Sequence, residues 1–426
     1  MKISVKVLMI ILAILLTVPM LAACGGGGDD NGTGDDVGNG DGNGDIEKKD
    51  VTITIGELID MTGVASTAMH VIHLALEDVV EYYNDGNLIP GVKLKIETYD
   101  EQYDPAKDIP GYEWLKGQGA DFIWTPVPPA VDTLQPTLNR DKFLMFAATA
   151  NLPQEELAGG YVFSLGITPE YEALTLVKWI AENDWDWETK GPAKIGGAAW
   201  SDGYSDVWLG AAEAYANAHP DQFEWAGGHL APLGTFIWDT EIAALTDVDY
   251  AYMPVPPPVF VREYRKTGGT AKLIGTDVHA AFLGMMHRGD LWDEFDETLF
   301  VRSSRWYNEQ GPIVDLYNAS LDAKGPEKAQ SIRQEGCGYI AYKQIYLMLD
   351  IVRQAVETVG PENFSTQALY DAATSWSFSV DGIDDFNSFD ESKRISQNYY
   401  AIYEATAADM DLHRRHDEWL PQVVTP

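Results

Sequence analysis

From Val51 onward, short apolar runs alternate with amphipathic ones. VTITIGEL (51–58) reads as a strand, 66–84 as a helix, VKLKIETYD (92–100) as a strand, 104–117 as a helix and DFIW (121–124) as a third strand. A helix over 130–139 and strands FLMFAAT (143–149) and YVFSLGIT (161–168) complete a first series. The second series runs through helix 170–183, strand AKIGGAAW (193–200), helix 204–218, a strand near 224–231 and helix 239–246. It continues with strand DYAYM (249–253), helix 259–267 and strand AKLIGT (271–276). The rest, with ETLFVRSS (297–304), a long helix near 337–359 and WSFSVDG (376–382), does not simply repeat the unit. Such βα repetition predicts an α/β fold with parallel sheets covered on both faces, here as two doubly wound, Rossmann-like lobes.

Two places break the pattern in the same way. TPVPPAV (125–131) follows one predicted strand and MPVPPPV (253–259) follows another. Proline has no amide hydrogen and a fixed φ, so each stretch ends its strand in a stiff elbow poor in donors. Ligands of doubly wound sheets lie at the carboxyl ends of the strands. If the lobes face each other, both elbows border one cleft. Proline is also welcome at a first helical turn, a role compatible with the first.

Ahead of this body, Lys2 and Lys6 precede an uncharged run from Val7 to Ala23 and then LAAC at 21–24. That is the layout of an export signal, and the run is slightly short for a membrane span. LAAC resembles the lipobox of bacterial lipoproteins, which implies lipidation at Cys24 and a protein held outside the cytoplasm on the cell membrane. Residues 25–50, rich in Gly and Asp, read as a disordered linker, and DGNGD at 41–45 does not fit the spacing of a calcium loop. With Cys24 lipidated, Cys337 is alone and no intramolecular disulfide is available. The composition, 45% hydrophobic and 11% aromatic, is that of a globular body. A formal net charge of −37 repels nucleic acid and sets that class of partner aside.

Several landmarks then fall in order: IGELIDMTGVAST (55–67), YDEQYDPAK (99–107), WSDGYSDVWLGAAEAY (200–215) and GYIAYKQIYLMLDIVRQAV (338–356). Together they resemble the type I periplasmic solute-binding proteins, in particular the branched-chain amino-acid (leucine/isoleucine/valine) binding family of ABC importers. Ser205 stands where that family usually has glycine. The resemblance implies two lobes joined by a hinge of three crossings. Lobe one takes 51–168 and about 303–376, and lobe two takes 169–302 and about 377–426. It implies closure on a small solute, delivery to a membrane permease, no cofactor and no catalysis. Transferred to this chain, the ligand loops fall on 125–130 and 147–150 in lobe one, with Thr125, Pro126, Val127, Ala148 and Thr149 as candidates, and on Tyr204 and Asp277 in lobe two; Pro256 joins them from the second elbow, and Trp124, Phe146, Trp200, Trp306 and Tyr307 lie close to predicted strand ends. Asp277 takes the place of the acidic residue that holds an ammonium group. Where small hydroxyl residues and free amides usually hold a carboxylate, this sequence has prolines. An aromatic wall with an acidic floor predicts an apolar or aromatic, amino-acid-like solute. A sensor subunit of the same fold is the alternative.

Other constellations carry less. His70, His73 and Glu77 have metal-like helical spacing, which a partly buried helix face also accommodates without metal. Glu57, Asp60 and Asp202 are candidate acid–base carboxylates, but no nucleophile motif or phosphate loop accompanies them. Trp179, Trp185 and Trp187 are expected to pack lobe two. HRRHDEW, containing His413 and His416, is read as a solvated terminal helix.

Overall fold

The computed structural model describes residues 50–426. The export signal, Cys24 and nearly all of the Gly/Asp linker lie outside the described residues.

Five parallel strands form the first sheet: β1 (Val51–Ile59), β2 (Val92–Asp100), β3 (Phe122–Thr125), β4 (Met145–Thr149) and β5 (Val162–Ile167), in the order β2-β1-β3-β4-β5. The central strands read as unbroken apolar runs because helices cover both faces, and Ile53, Ile55, Phe122, Ile123, Met145 and Phe146 are all fully buried. The second sheet holds β6 (Ala193–Trp200), β7 (Phe223–Ala231), β8 (Tyr250–Tyr252), β9 (Lys272–Thr276) and β10 (Leu299–Arg302) in the order β7-β6-β8-β9-β10. Up to β10 its strands are parallel.

After β10 the chain returns to the first sheet. The long helix Gly338–Val359 packs beside the helix Ser66–Asp85, and Ile345, Met348 and Val352 join the core that contains Ile53 and Phe146. A hairpin, β11 (Ser377–Val380) and β12 (Ile383–Ser388), follows. Residues 376–396, expected mostly with the second lobe, lie against the first: Trp376 and Phe389 enter its core, and Ile395 bridges Ser164 on β5. Only then does the chain cross back, through β13 (Tyr399–Thr406), antiparallel to β10. The structure corrects one element. The HRRHDEW stretch is not a helix: β14 (Asp411–Arg414) pairs antiparallel with β13, and the short β15 (Leu420–Pro421) pairs with β13 as well. Leu412, fully buried, supplies the reason, since the strand extends the sheet and buries one side chain that a solvated helix would leave exposed. The chain thus passes between the sheets three times, at Thr168, at residues 303–311 and at 397–398.

Candidate functional site

The carboxyl ends of β3, β4, β6, β8 and β9 converge on one cleft, with an empty space of about 1020 Å³ that includes part open to solvent. Pro126, Pro128, Ala148 and Thr149 line it from the first lobe; Trp200, Asp202, Tyr204, Val255, Pro256 and Asp277 line it from the second. Both elbows therefore border the same space. The rest of the wall carries no feature that marks it in the sequence as a site: Val64 ahead of the helix Ser66–Asp85, Met69 and Ile72 on its first turns, Tyr103, Phe282, and Ile340 and Gln344 on the long helix. For Met69, Ile72 and Ile340 the signal lay in the apolar faces of two helices, which sequence alone does not aim at a cleft rather than a core.

Three of the expected ligand residues do not line this cleft. Thr125 is buried beneath it and donates its hydroxyl to the Leu58 carbonyl (2.8 Å) while accepting from the Val127 amide (3.1 Å). That second bond draws Val127 inward into the core. Trp306 lies under the second sheet, with the Arg302 guanidinium 4.5 Å above its ring and its indole N–H donated to Asp411. Trp124 and Phe146 are core residues, and Tyr307 donates its hydroxyl to Asp411.

The first elbow's donors are all accounted for. Pro126, Pro128 and Pro129 have none, the Val127 amide goes to Thr125, and the Ala130 amide goes to the Val127 carbonyl (3.2 Å). Pro128 also opens the helix Pro128–Asp141, so the elbow is cleft wall and helix start at once. Nearby, Gln344 donates its side-chain amide to the Ala148 carbonyl (3.0 Å). Gly166 makes room for that bond: a Cβ there would stand 2.2 Å from the carbonyl oxygen and 2.3 Å from the amide nitrogen.

On the second lobe the polar groups are fastened to each other. Tyr204 donates to Glu172 and lies 3.1 Å from the Thr276 hydroxyl. His279 accepts from the Thr276 amide at Nδ1 (3.1 Å), so its Nε2–H donates to the Met253 carbonyl (2.7 Å), which ties β9 to the base of the second elbow. Full burial pushes His279 down to about 4, so the ring is neutral. Burial, and then the nearby Asp277 charge, hold Glu172 well above the usual carboxyl range. Asp277 itself is spent: one oxygen accepts from the Ser303 amide (2.7 Å) and hydroxyl (2.8 Å), and the other lies 3.0 Å from the fully buried Arg302 guanidinium. Asp202 accepts from the Ser205 amide (2.7 Å) at the start of the helix Tyr204–Ala218, and burial pushes its carboxyl up to about 6. Trp200 donates its indole N–H to the Thr235 carbonyl (2.7 Å).

No lysine, arginine or histidine stands among the described residues that line the cleft. Its surface is mostly apolar, the first elbow's amide donors are deleted or engaged, and two carboxylates face it.

The other candidate groups are structural. His73 bonds Glu57 (2.7 Å) and lies 3.7 Å from Glu77, and Glu57 also accepts from Thr98. His70 lies against the Ser66 carbonyl. Asp60 caps the turn before the first helix by accepting from the Gly63 and Ala65 amides. Among the described residues no group of His, Cys, Asp and Glu is arranged to hold a metal ion. Trp179 packs in the core with Trp185 and Trp187 against it, and donates its indole N–H to His416.

Residues 52–409 match the family model described as periplasmic binding protein. No curated protein matches the sequence. Among solved structures, the chain is similar to a branched-chain amino-acid ABC transporter protein from Thermus thermophilus with bound valine, at 15% identity and a TM-score of 0.74, covering 88% of this chain and 97% of that one. A possible leucine/isoleucine/valine-binding protein from Rhodopirellula baltica shares 14% identity at a TM-score of 0.70, covering 87% and 97%. A solute-binding protein from R. palustris in complex with benzoate shares 12% at 0.71, covering 88% and 98%. These likenesses establish a shared fold. With the family model spanning both sheets and every strand that lines the cleft, the chain belongs to the periplasmic binding protein family.

Proposed function

We propose that this protein is the extracytoplasmic receptor of an ABC importer, tethered through Cys24, whose lobes close on a small apolar or aromatic solute and present it to a membrane permease. Closure on a shared guest is stabilising because the guest touches both lobes only in the closed state. The observation that carries the solute class is a cleft without cations whose first elbow has no free amide. The structural relatives include proteins holding valine and benzoate, and both ligands carry a carboxylate. Here a carboxylate meets no cation and two acidic side chains, and burying an unpaired charge is costly. The fitting guest is an apolar body whose polar end is neutral or cationic, which narrows the amino-acid-like expectation to an amine, amide or alcohol. Asp202, rather than the already paired Asp277, is the acceptor on offer.

Three compounds of one skeleton test this: benzylamine, benzyl alcohol and benzoate, each in a thermal-unfolding titration. A ligand at 100 times its dissociation constant adds roughly 2.7 kcal/mol of stability. Benzylamine and benzyl alcohol are expected to raise the transition by amounts that Val255→Ala in the cleft wall reduces, and benzoate to give no shift that this substitution reduces. A benzoate shift larger than theirs and reduced by Val255→Ala would contradict the solute class, and indifference to benzylamine and benzyl alcohol would contradict the apolar cleft reading.

A further inference from the structure

A second cavity, of about 580 Å³ including space open to solvent, lies where the chain crosses between the lobes, bounded by Arg305, Tyr339, Lys343, Phe386 and Trp419. Lys343 projects from the long helix and is 5% exposed. Its ammonium donates to the Ser303 carbonyl (2.9 Å), reaches the Gln397 side-chain oxygen at 3.5 Å and lies 5.2 Å above the Phe386 ring. All of these acceptors are neutral.

The neighbouring cations are treated differently. Arg302 has Asp277, Arg305 has Asp381, and Arg414 has Glu309. Lys343 alone among them has no carboxylate within ion-pair distance among the described residues, in a chain whose net charge is −37. A buried ammonium without a counterion is costly, and a lysine retained at such a place beside a cavity marks a seat for an anion. The charge to be matched follows from the pairs: Arg305 with Asp381 and Arg302 with Asp277 cancel, although the Asp277 charge is felt at Lys343, leaving one positive charge there. Tyr339, Phe378, Phe386 and Trp419 wall the space and suit an apolar body behind that charge.

We propose that this hinge cavity is a second ligand site, separate from the cleft, which takes a small monocarboxylate with its carboxylate on the Lys343 ammonium. Burial pushes the Lys343 ammonium down to about 7, so an anion beside it restores a proton that the empty site holds weakly. The inference goes beyond the receptor function and does not depend on which solute the cleft takes.

The test is thermal unfolding of the protein with sodium acetate, sodium chloride and sodium sulfate at matched ionic strength, in the natural sequence and in Lys343→Met. Acetate is expected to give a saturable rise of a few degrees over sulfate, and Lys343→Met is expected to abolish that difference. Superimposed acetate and sulfate curves overturn the proposal, as does an acetate effect that survives the substitution. A chloride effect equal to that of acetate overturns the carboxylate assignment. As a readout independent of the variant's folding, crystals of the natural sequence soaked in 4-iodobenzoate should show an iodine peak between the aromatic walls of the hinge cavity. A peak confined to the cleft, or none, overturns it.

Discussion

At the first elbow, Val127 is buried in the core under Pro126 and Pro128; at the second, Val255 is half-buried and forms part of the cleft wall. The two stretches share the word P-V-P-P and differ in what fastens them. Thr125 closes the first elbow from inside, taking the Val127 amide on its own hydroxyl. Met253 has no hydroxyl to do this, and its carbonyl is held instead by His279, which arrives from the next strand's loop. A locally fastened elbow turns its valine inward, and one fastened from a distance leaves its valine facing the guest. The same contrast extends to the lobes. The first offers an elbow without free amide donors, and the second a floor on which Asp277 is already matched to a cation and Asp202 is not.

The largest test of that contrast is Arg302→Met, which leaves Asp277 buried with its ion partner gone. Removing one member of a buried pair costs about 3–5 kcal/mol, so chemical denaturation should show a loss of that order, partly recovered when Asp277→Asn is added. A loss no larger than that of a surface substitution would mean that the floor is not held by this pair. The elbows themselves are compared by Val127→Ala and Val255→Ala. The first deletes two fully buried methyl groups and leaves a cavity, about 2 kcal/mol. The second should cost under about 1 kcal/mol, in line with a half-exposed side chain, and lower solute affinity instead. Equal stability losses would erase the distinction.

The smallest effect is in pH. The Asp202 carboxyl is raised to about 6 in the folded chain, so between roughly pH 4 and pH 6 the folded state keeps a proton that the unfolded state has released. Stability therefore falls as pH rises through that window. Glu101, raised to about 7, and Asp108, raised to about 6, act with the same sign, burial being the main cause for each. Asp202→Asn should flatten the decline by about 1–2 kcal/mol, allowing for its partial exposure, as read from denaturation midpoints at pH 4.5 and pH 7. An unchanged slope would place Asp202 in water rather than in the cleft wall.

Much of the fold was legible because βα repetition is a local signal. The strand predicted at 92–100 is β2 over its full length, and the elbows mark strand ends by proline chemistry alone. β14 was not legible: HRRH has no strand pattern of its own and becomes a strand only because β13 offers it an edge. Within the site, Pro126, Ala148, Thr149, Trp200, Tyr204, Pro256 and Asp277 could be placed from the strand ends on which they sit. Arg302 could not, since a cation closing the apolar run LFVR gives no hint that it neutralises Asp277 across the adjoining strand. Thr125 misled for a similar reason, because a hydroxyl at a strand end points to solute or to backbone according to contacts from another strand, here Leu58.

Ser303 donates twice to Asp277 at the cleft floor and accepts from Lys343 at the crossing, so a single serine is clasped on both sides. A displacement of that serine alters both clasps. If cargo above and a counterion below each move it, they change one another's affinity by the same factor.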